Sequence, residues 1–98
     1  MKPCAIVLLN YNGEGVLPTF LPSVVRHSQH EVWMIDNASS DGSLTYVKEN
    51  FPELRLISLD SNYGFTGGYN LGLEQLRGQY ETFILLNTDV EVTPGWDQ

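Results

Sequence analysis

The sequence predicts an α/β fold with a doubly wound, mostly parallel sheet, built in the order β-α-β-α-β-α-β. Two observations support this prediction. Short runs of branched apolar residues recur four times, and segments with apolar residues at helical spacing separate them. Runs that are apolar on both faces are typical of strands buried in a parallel sheet. Right-handed crossovers then place helices on both faces of that sheet.

The predicted strands and helices follow from these patterns in chain order. The four strand runs are Ala5 to Leu9, Val32 to Ile35, Leu54 to Leu59 and Thr82 to Leu86. The apolar stripes of the three helices comprise Leu17, Phe20, Leu21, Val24 and Val25, then Leu44, Val47 and Phe51, then Tyr69, Leu73, Leu76 and Tyr80.

Local signals predict where each helix begins. Pro22 is tolerated only in a first turn, so the first helix should begin near Thr19. Asp41 or Ser43 should cap the second helix, and the third should follow the glycine pair at 67–68. A further helix start is predicted at Thr93-Pro94. Because the chain stops soon after it, we expect residues 1–98 to be the N-terminal part of a longer protein.

Composition excludes several classes of function. Twelve acidic and five basic residues give a net charge of −7, which argues against binding to nucleic acid or to anionic membrane surfaces. The longest apolar run, at 5–9, is too short to span a bilayer. Cys4 is the single cysteine, and the N-terminus lacks a convincing signal peptide. We therefore expect a cytoplasmic protein, with peripheral association at the inner membrane face left open for a full-length chain.

Polar segments follow all four predicted strands. They are residues 10–13, 36–42, 60–65 and 87–91, and each contains Asn or Asp. Any one of them could be an ordinary turn, because these residue types are favoured there. Four such segments at the carboxyl ends of the strands are harder to explain in that way, since ligands of α/β sheets bind at this edge.

Two other classes of protein share part of this pattern. Asp36 ends the second strand as in a Rossmann-type dinucleotide-binding domain, but Pro18 replaces the third glycine of the pattern that begins Gly13-Glu14-Gly15. A receiver-like regulatory module would need acids where Asn10 and Asn12 stand. A Rossmann-type dinucleotide-binding domain and a receiver-like module therefore remain the alternative interpretations, although each lacks part of its motif. The sequence contains no P-loop motif.

Asp89 is the candidate metal ligand. None of the strand-end segments contains Lys or Arg, so a bound diphosphate would face Asp36, Asp41 and Asp89 without a protein cation. A divalent cation would resolve this conflict, and Mg²⁺ or Mn²⁺ often uses only one or two protein carboxylates.

The densest motif is the glycine-rich segment 62–70, which leads into the third helix. Glycines there let the backbone approach a ligand closely. Of its aromatic residues, Phe65 and Tyr69 are expected in the core.

Taken together, these segments resemble the N-terminal, Rossmann-like half of a GT-A glycosyltransferase, in particular the family 2 inverting enzymes with rhamnosyltransferase-like members. The matching stretches are residues 6–13, 36–43, 62–70 and 85–90. The similarity covers nearly the whole chain, and the order of the motifs is more specific than any one of them.

The resemblance implies roles for particular residues. Tyr11 and Asn12 would line the nucleotide pocket, Asp36 would contact the nucleobase or ribose, and Asp41 would lie in the same nucleoside-binding region. Gly67 and Gly68 would border the donor site, with Asn62 and Asn70 as polar contacts. Asn87-Thr88-Asp89 would take the place of the D-x-D motif, with Asn87 at its first position. Asp89 would then bind Mg²⁺ or Mn²⁺ and, through it, the donor diphosphate.

The resemblance also implies an activity. A hexosyl group would pass with inversion from a UDP- or dTDP-sugar to a hydroxyl of a saccharide or lipid-linked saccharide, as in cell-wall or polysaccharide biosynthesis. The general base would come from the acceptor half, beyond Gln98, so residues 1–98 would bind the donor, contain no catalytic base and be inactive alone. An apolar edge of such a portion would favour a homo-oligomer.

Overall fold

A computed structural model describes residues 2–97 and shows the predicted alternation of strands and helices. The elements within this range are β1 Lys2–Asn10, α1 Leu17–His27, β2 Glu31–Asp36, α2 Ser43–Asn50, β3 Arg55–Ser58, α3 Gly64–Leu76 and β4 Tyr80–Leu86. All strand pairs are parallel, and the order across the sheet is β3-β2-β1-β4. The strand order therefore reverses between β1 and β4.

Helices cover both faces of the sheet, which confirms the doubly wound prediction. On one face, Ala5 and Val7 of β1 belong to a core cluster that includes Tyr69 and Leu76 of α3. On the other face, Leu8 packs in a second cluster with residues of α1 and α2. Successive residues of β1 thus point to opposite faces, and both faces are dry, as the continuous apolar run requires.

The first helix begins two residues earlier than predicted. Leu17 is its first residue, so Pro22 lies in the helix interior and the predicted start near Thr19 is wrong. The amides of Val16 and Leu17 already donate to the Gly13 carbonyl, at 3.0 and 2.9 Å. Burial of the apolar stripe that starts at Leu17 outweighs the backbone hydrogen bond that a proline removes.

The third helix also begins earlier than predicted. It starts at Gly64, so Gly67 and Gly68 lie inside it and do not precede it. The Asn62 side chain causes this early start, because its Oδ1 accepts from the Gly64 amide at 2.8 Å. The predicted helix start at Thr93 is present as a turn closed by the Trp96 amide and the Thr93 carbonyl.

Glycine lets α3 pack close to the sheet. A Cβ atom at Gly72 would lie 2.1 Å from Cδ1 of Ile35, and one at Gly68 would lie 2.8 Å from Nδ2 of Asn37. Ile35 is fully buried and has no room to move away. The close approach of helix and sheet therefore depends on the missing side chains.

A polar network ties the four strands together at the edge opposite their carboxyl ends. Glu31 of β2 bonds Lys2 of β1 at 2.8 Å and approaches Arg55 of β3 at 3.4 Å. It also accepts from the Tyr80 hydroxyl of β4. The hydrogen bonds from Lys2 and Tyr80 hold the pKa of Glu31 below its ordinary value of 4.5. No helix within residues 2–97 is long and apolar enough to cross a membrane.

Replacement of Gly72 should test the helix–sheet contact. Gly72→Ala is expected to lower the free energy of unfolding by ~1–3 kcal/mol, because overpacking against Ile35 outweighs the helix propensity gained from alanine. Urea denaturation measures the change. Gly15→Ala is the matched control, since a Cβ there meets nothing within 4 Å. Equal stability of the two variants would contradict the close packing.

Acid should weaken the Glu31 network. A folded-state pKa below the ordinary 4.5 means that the stabilisation is complete at neutral pH and is lost as the pH falls through the folded-state value. Glu31→Gln should lower the free energy of unfolding by up to ~1 kcal/mol at neutral pH and should change it little in strong acid. Thermal unfolding at both pH values measures this. Glu49→Gln, at an exposed position of α2, should differ from the parent by the same amount at both pH values.

Candidate functional site

A cleft of about 500 Å³ opens at the carboxyl edge of the sheet. It lies at the reversal of strand order between β1 and β4, which is where α/β sheets bind ligands. The cleft is lined by Leu9, Tyr11, Val16, Asn37, Asn62, Gly64, Phe65, Tyr69, Asn87, Thr88 and Asp89. Strand ends β1, β2 and β4 and the start of α3 thus all contribute to its walls.

Four of the predicted site residues line this cleft. Tyr11 follows β1 and is 50% exposed. Asn62 precedes α3, whereas Asn87 and Asp89 follow β4. All four have exposed side chains, so they are available to a ligand.

Asp36 is buried beside the cleft and does not line it. Only 1% of its surface is exposed. Its Oδ1 accepts from Asn10 Nδ2 at 2.9 Å and from the Ser39 hydroxyl at 2.7 Å, and its Oδ2 accepts from the Ser39 amide at 2.9 Å. Asn10 Nδ2 also lies 3.0 Å from the Ser43 hydroxyl. In this structure Asp36 joins the end of β1 to the loop that follows β2.

Asn12 and Asp41 extend the same network. Asn12 has a positive φ of 52°, and its Oδ1 accepts from the amides of Ser40 and Asp41 at 2.7 and 3.2 Å. Asp41 in turn accepts from the Ser43 amide at 2.9 Å and from the Glu14 amide at 3.1 Å. Burial raises the pKa of Asp41, but these hydrogen bonds outweigh it and hold the pKa below its usual value.

These contacts lock the two loops that follow β1 and β2 into one rigid unit. Ala38 belongs to the same unit and also has a positive φ, of 63°. Asparagine enters this left-handed region more readily than most residues, but for alanine the conformation is costly and is held by the surrounding contacts. Asn12, Asp36 and Asp41 thus lie at the carboxyl edge of the sheet, and the structure brings them together in one network.

Three predicted residues of α3 lie outside the cleft lining. Asn70 is exposed on the helix. Gly68 is buried against Leu9 and Asn37, and a Cβ at Gly67 would lie 3.2 Å from Cβ of Tyr63. The glycine pair therefore acts in the packing of α3.

Asn37 is a cleft residue that the sequence analysis did not single out. Its Oδ1 accepts from the Tyr63 amide at 3.0 Å, and its Nδ2 donates to the Gly64 carbonyl at 2.9 Å. Its own amide donates to the Asn10 carbonyl at 2.8 Å. With 2% of its surface exposed, Asn37 is a buried link between β1, β2 and α3. Its position directly after Asp36, at a strand end, is the one signal in the sequence that could have indicated this.

Phe65 and Tyr69 were both expected in the core, and only one of them is there. Tyr69 is 4% exposed, burial raises its pKa, and its hydroxyl donates to the Leu86 carbonyl at 3.3 Å. Phe65 is 65% exposed and forms part of the cleft wall, so its prediction is wrong. Phe65 lies one turn before Tyr69, in the first turn of α3.

The cleft contains one carboxylate and no basic side chain among its described lining residues. That carboxylate is Asp89. No group of three or more His, Cys, Asp or Glu side chains suited to a metal occurs in residues 2–97. A hard divalent cation that takes most of its ligands from phosphate and water fits this donor set, with Asp89 as the charged ligand and the Asn87 amide oxygen two residues earlier.

A second cavity, of about 420 Å³, lies away from this edge. It is lined by Val25, Val32 and residues 50–55. None of the predicted site residues belongs to it. The cleft at the strand ends is therefore the candidate site.

Comparison with known proteins gives consistent results. The sequence model of the family described as glycosyl transferase family 2 matches residues 5–98. A Haemophilus influenzae protein described as an uncharacterized glycosyltransferase is 25% identical over 94% of this chain and 29% of its own length.

Two crystal structures of S. aureus TarS 1–349 have the same fold. The structure in complex with UDP is 26% identical, with a TM-score of 0.72 over 91% of this chain and 28% of that one. The structure in complex with UDP-GlcNAc is 27% identical, with a TM-score of 0.71 over 91% of this chain and 27% of that one. This chain spans less than a third of the length of these relatives.

Asp36 should matter for stability, unlike Asp89. Asp36→Asn replaces a carboxylate that receives three hydrogen bonds, so it should lower the free energy of unfolding by ~1–3 kcal/mol. Asp89→Asn makes the same chemical change at an exposed position and should stay within ~0.5 kcal/mol of the parent. Chemical denaturation measures both. A stability loss of the same size in the two variants would show that the Asp36 network is not structural.

Proposed function

The chain belongs to glycosyl transferase family 2, and on this premise we propose that its strand-end cleft binds a nucleoside-diphosphate sugar, the donor for transfer of the sugar to a hydroxyl group. The observation that carries the proposal is a cleft at the reversal of strand order whose described lining has one carboxylate and no cationic side chain. The TarS structures in complex with UDP and UDP-GlcNAc, which share this fold, support the choice of ligand.

A divalent cation is part of the proposal, because the cleft would otherwise repel a diphosphate. The charge of the chain is −7, and Asp89 adds a negative charge within the cleft itself. Asp89, with the Asn87 amide oxygen beside it, would hold Mg²⁺ or Mn²⁺. The cation would neutralise the diphosphate in the bound donor and in the leaving group.

The residues of the chain would bind and orient the donor. Polar contacts would come from the side chains of Asn62 and Asn87. An amide side chain can both donate and accept hydrogen bonds. Tyr11 would cover one side of the nucleoside. The loop unit built on Asn12, Asp36 and Asp41 would keep Tyr11 in place, because it fixes the backbone that directly follows β1.

We place the remaining chemistry outside these residues. Inverting transfer to a hydroxyl needs a general base positioned beside the acceptor. Within residues 2–97, the ionisable side chains lining the cleft are those of Asp89, Tyr11 and Tyr69. Asp89 is assigned to the cation and Tyr11 to the nucleoside, and the Tyr69 hydroxyl donates to the Leu86 carbonyl. The proposed base therefore belongs to an acceptor-binding region, and residues 1–98 alone should bind a donor without transferring its sugar.

A hexosyl donor and a saccharide or lipid-linked acceptor of the cell surface complete the proposal. The hexosyl donor is supported by the TarS structure in complex with UDP-GlcNAc. The acceptor rests on the resemblance to rhamnosyltransferase-like members of the family, and not on a contact within this chain.

Calorimetric titration of UDP into the protein, with and without Mn²⁺, tests the donor site. Binding should require Mn²⁺, and Asp89→Asn should weaken it at least about tenfold, or 1.4 kcal/mol. Glu91→Gln removes a charge two residues away, outside the cleft lining, and should bind UDP like the parent. Equal UDP affinity with and without the metal, or in the Asp89 variant, would refute the metal role.

A further inference from the structure

Phe65 is an unusual residue for its place in the fold. An aromatic ring that is 65% exposed loses the benefit of burial, yet it lies at the start of a helix that packs Tyr69 and Leu76 against the sheet. The ring forms part of the cleft wall. The Tyr11 side chain after β1, which is 50% exposed, lines the same cleft.

The Phe65 ring is held in place although it is exposed. It packs edge-to-face on Tyr69, with ring centroids 5.1 Å apart and an interplanar angle of 75°. Tyr69 is anchored by burial and by its hydrogen bond to the Leu86 carbonyl. The preceding residue, Gly64, is fixed by bonds from Asn37 and to Asn62. A ring supported in this way loses little conformational entropy when a ligand packs on it.

The order of the strands places Phe65 at one end of the cleft and Asp89 at the other. Gly64 is bonded to Asn37 at the end of β2, whereas Asp89 follows β4. Strand β1 lies between β2 and β4, so these two strand ends are two spacings apart, or about 10 Å. A diphosphate held at Asp89 therefore leaves the space on the Phe65 side for the nucleoside.

We propose that the nucleobase of the donor stacks on the ring of Phe65. This inference rests on the proposed donor site and names its aromatic contact. A nucleobase presents a flat π surface, and an aromatic side chain that is already ordered and exposed is its natural partner. Phe65 is then a specificity-determining residue that selects a ligand with a planar base over a bare diphosphate. It has no part in the chemical step.

Titrations of two probes in the presence of Mn²⁺ separate this role from that of Asp89. Phe65→Ala should weaken UDP binding about 5- to 150-fold, the range measured for removal of a stacked base contact. It should leave the binding of inorganic pyrophosphate unchanged, because pyrophosphate has no base. Phe65→Leu keeps an apolar side chain without a π system and should also weaken UDP. Phe65→Tyr should restore it.

Two controls guard against a general loss of structure. Leu71→Ala truncates another exposed apolar side chain of α3, 42% exposed and outside the cleft lining, and should bind both probes like the parent. Thermal unfolding of Phe65→Ala should match that of the parent closely, since an exposed ring contributes little to the core.

Each outcome of the titrations is decisive. Unchanged UDP affinity in Phe65→Ala overturns the stacking role and leaves the donor site intact. Equal weakening of UDP and pyrophosphate would mean that the ring acts through the shape of the cleft, which also overturns the stacking role. Failure of the parent protein to bind UDP with Mn²⁺ overturns the proposed function and this inference together.

Discussion

The hydrogen bond from Asn10 to Asp36 is the contact on which the candidate site depends most. Asn10 and Asp36 face each other as the last residues of β1 and β2, and both are buried. A buried carboxylate must have its oxygens satisfied, and Asp36 achieves this by drawing in Ser39 from the following loop. That loop then meets Asn12 from the loop after β1. A single pair at the strand ends thus determines the path of both loops that border the cleft.

Close packing of α3 is the second requirement. The helix reaches the sheet only because glycines replace side chains where Ile35 and Asn37 need the space. Asn37 then bonds the backbone at Tyr63 and Gly64, so the start of α3 is tied to the end of β2. Packing in the core and hydrogen bonding at the edge therefore position the same wall of the cleft. A substitution that disturbs the α3–sheet packing should also disturb the Asn37 hydrogen bonds.

The sequence was sufficient for the fold and for the clustering of polar residues at one edge of the sheet, because hydrophobic periodicity and the rule of strand ends are both local patterns. It was insufficient for the direction of individual side chains. Asp36 and Asp89 both lie at the carboxyl ends of strands, yet the Asp36 carboxylate is buried and accepts hydrogen bonds from within the chain, whereas Asp89 is exposed. That difference depends on strand register and on loops distant in sequence. The prediction that Phe65 lies in the core was wrong for a related reason. Because α3 starts at Gly64 and not after Gly68, Phe65 lies in the first turn of the helix, outside the core.

The left-handed backbone of Asn12 and Ala38 has a consequence for how quickly a ligand could be taken up. Residues of this kind adopt such angles at an energetic cost, which here is offset by the bonds of the loop unit during folding. This edge of the cleft is therefore shaped before any ligand arrives. A ligand could then bind at this edge without a slower step of loop closure.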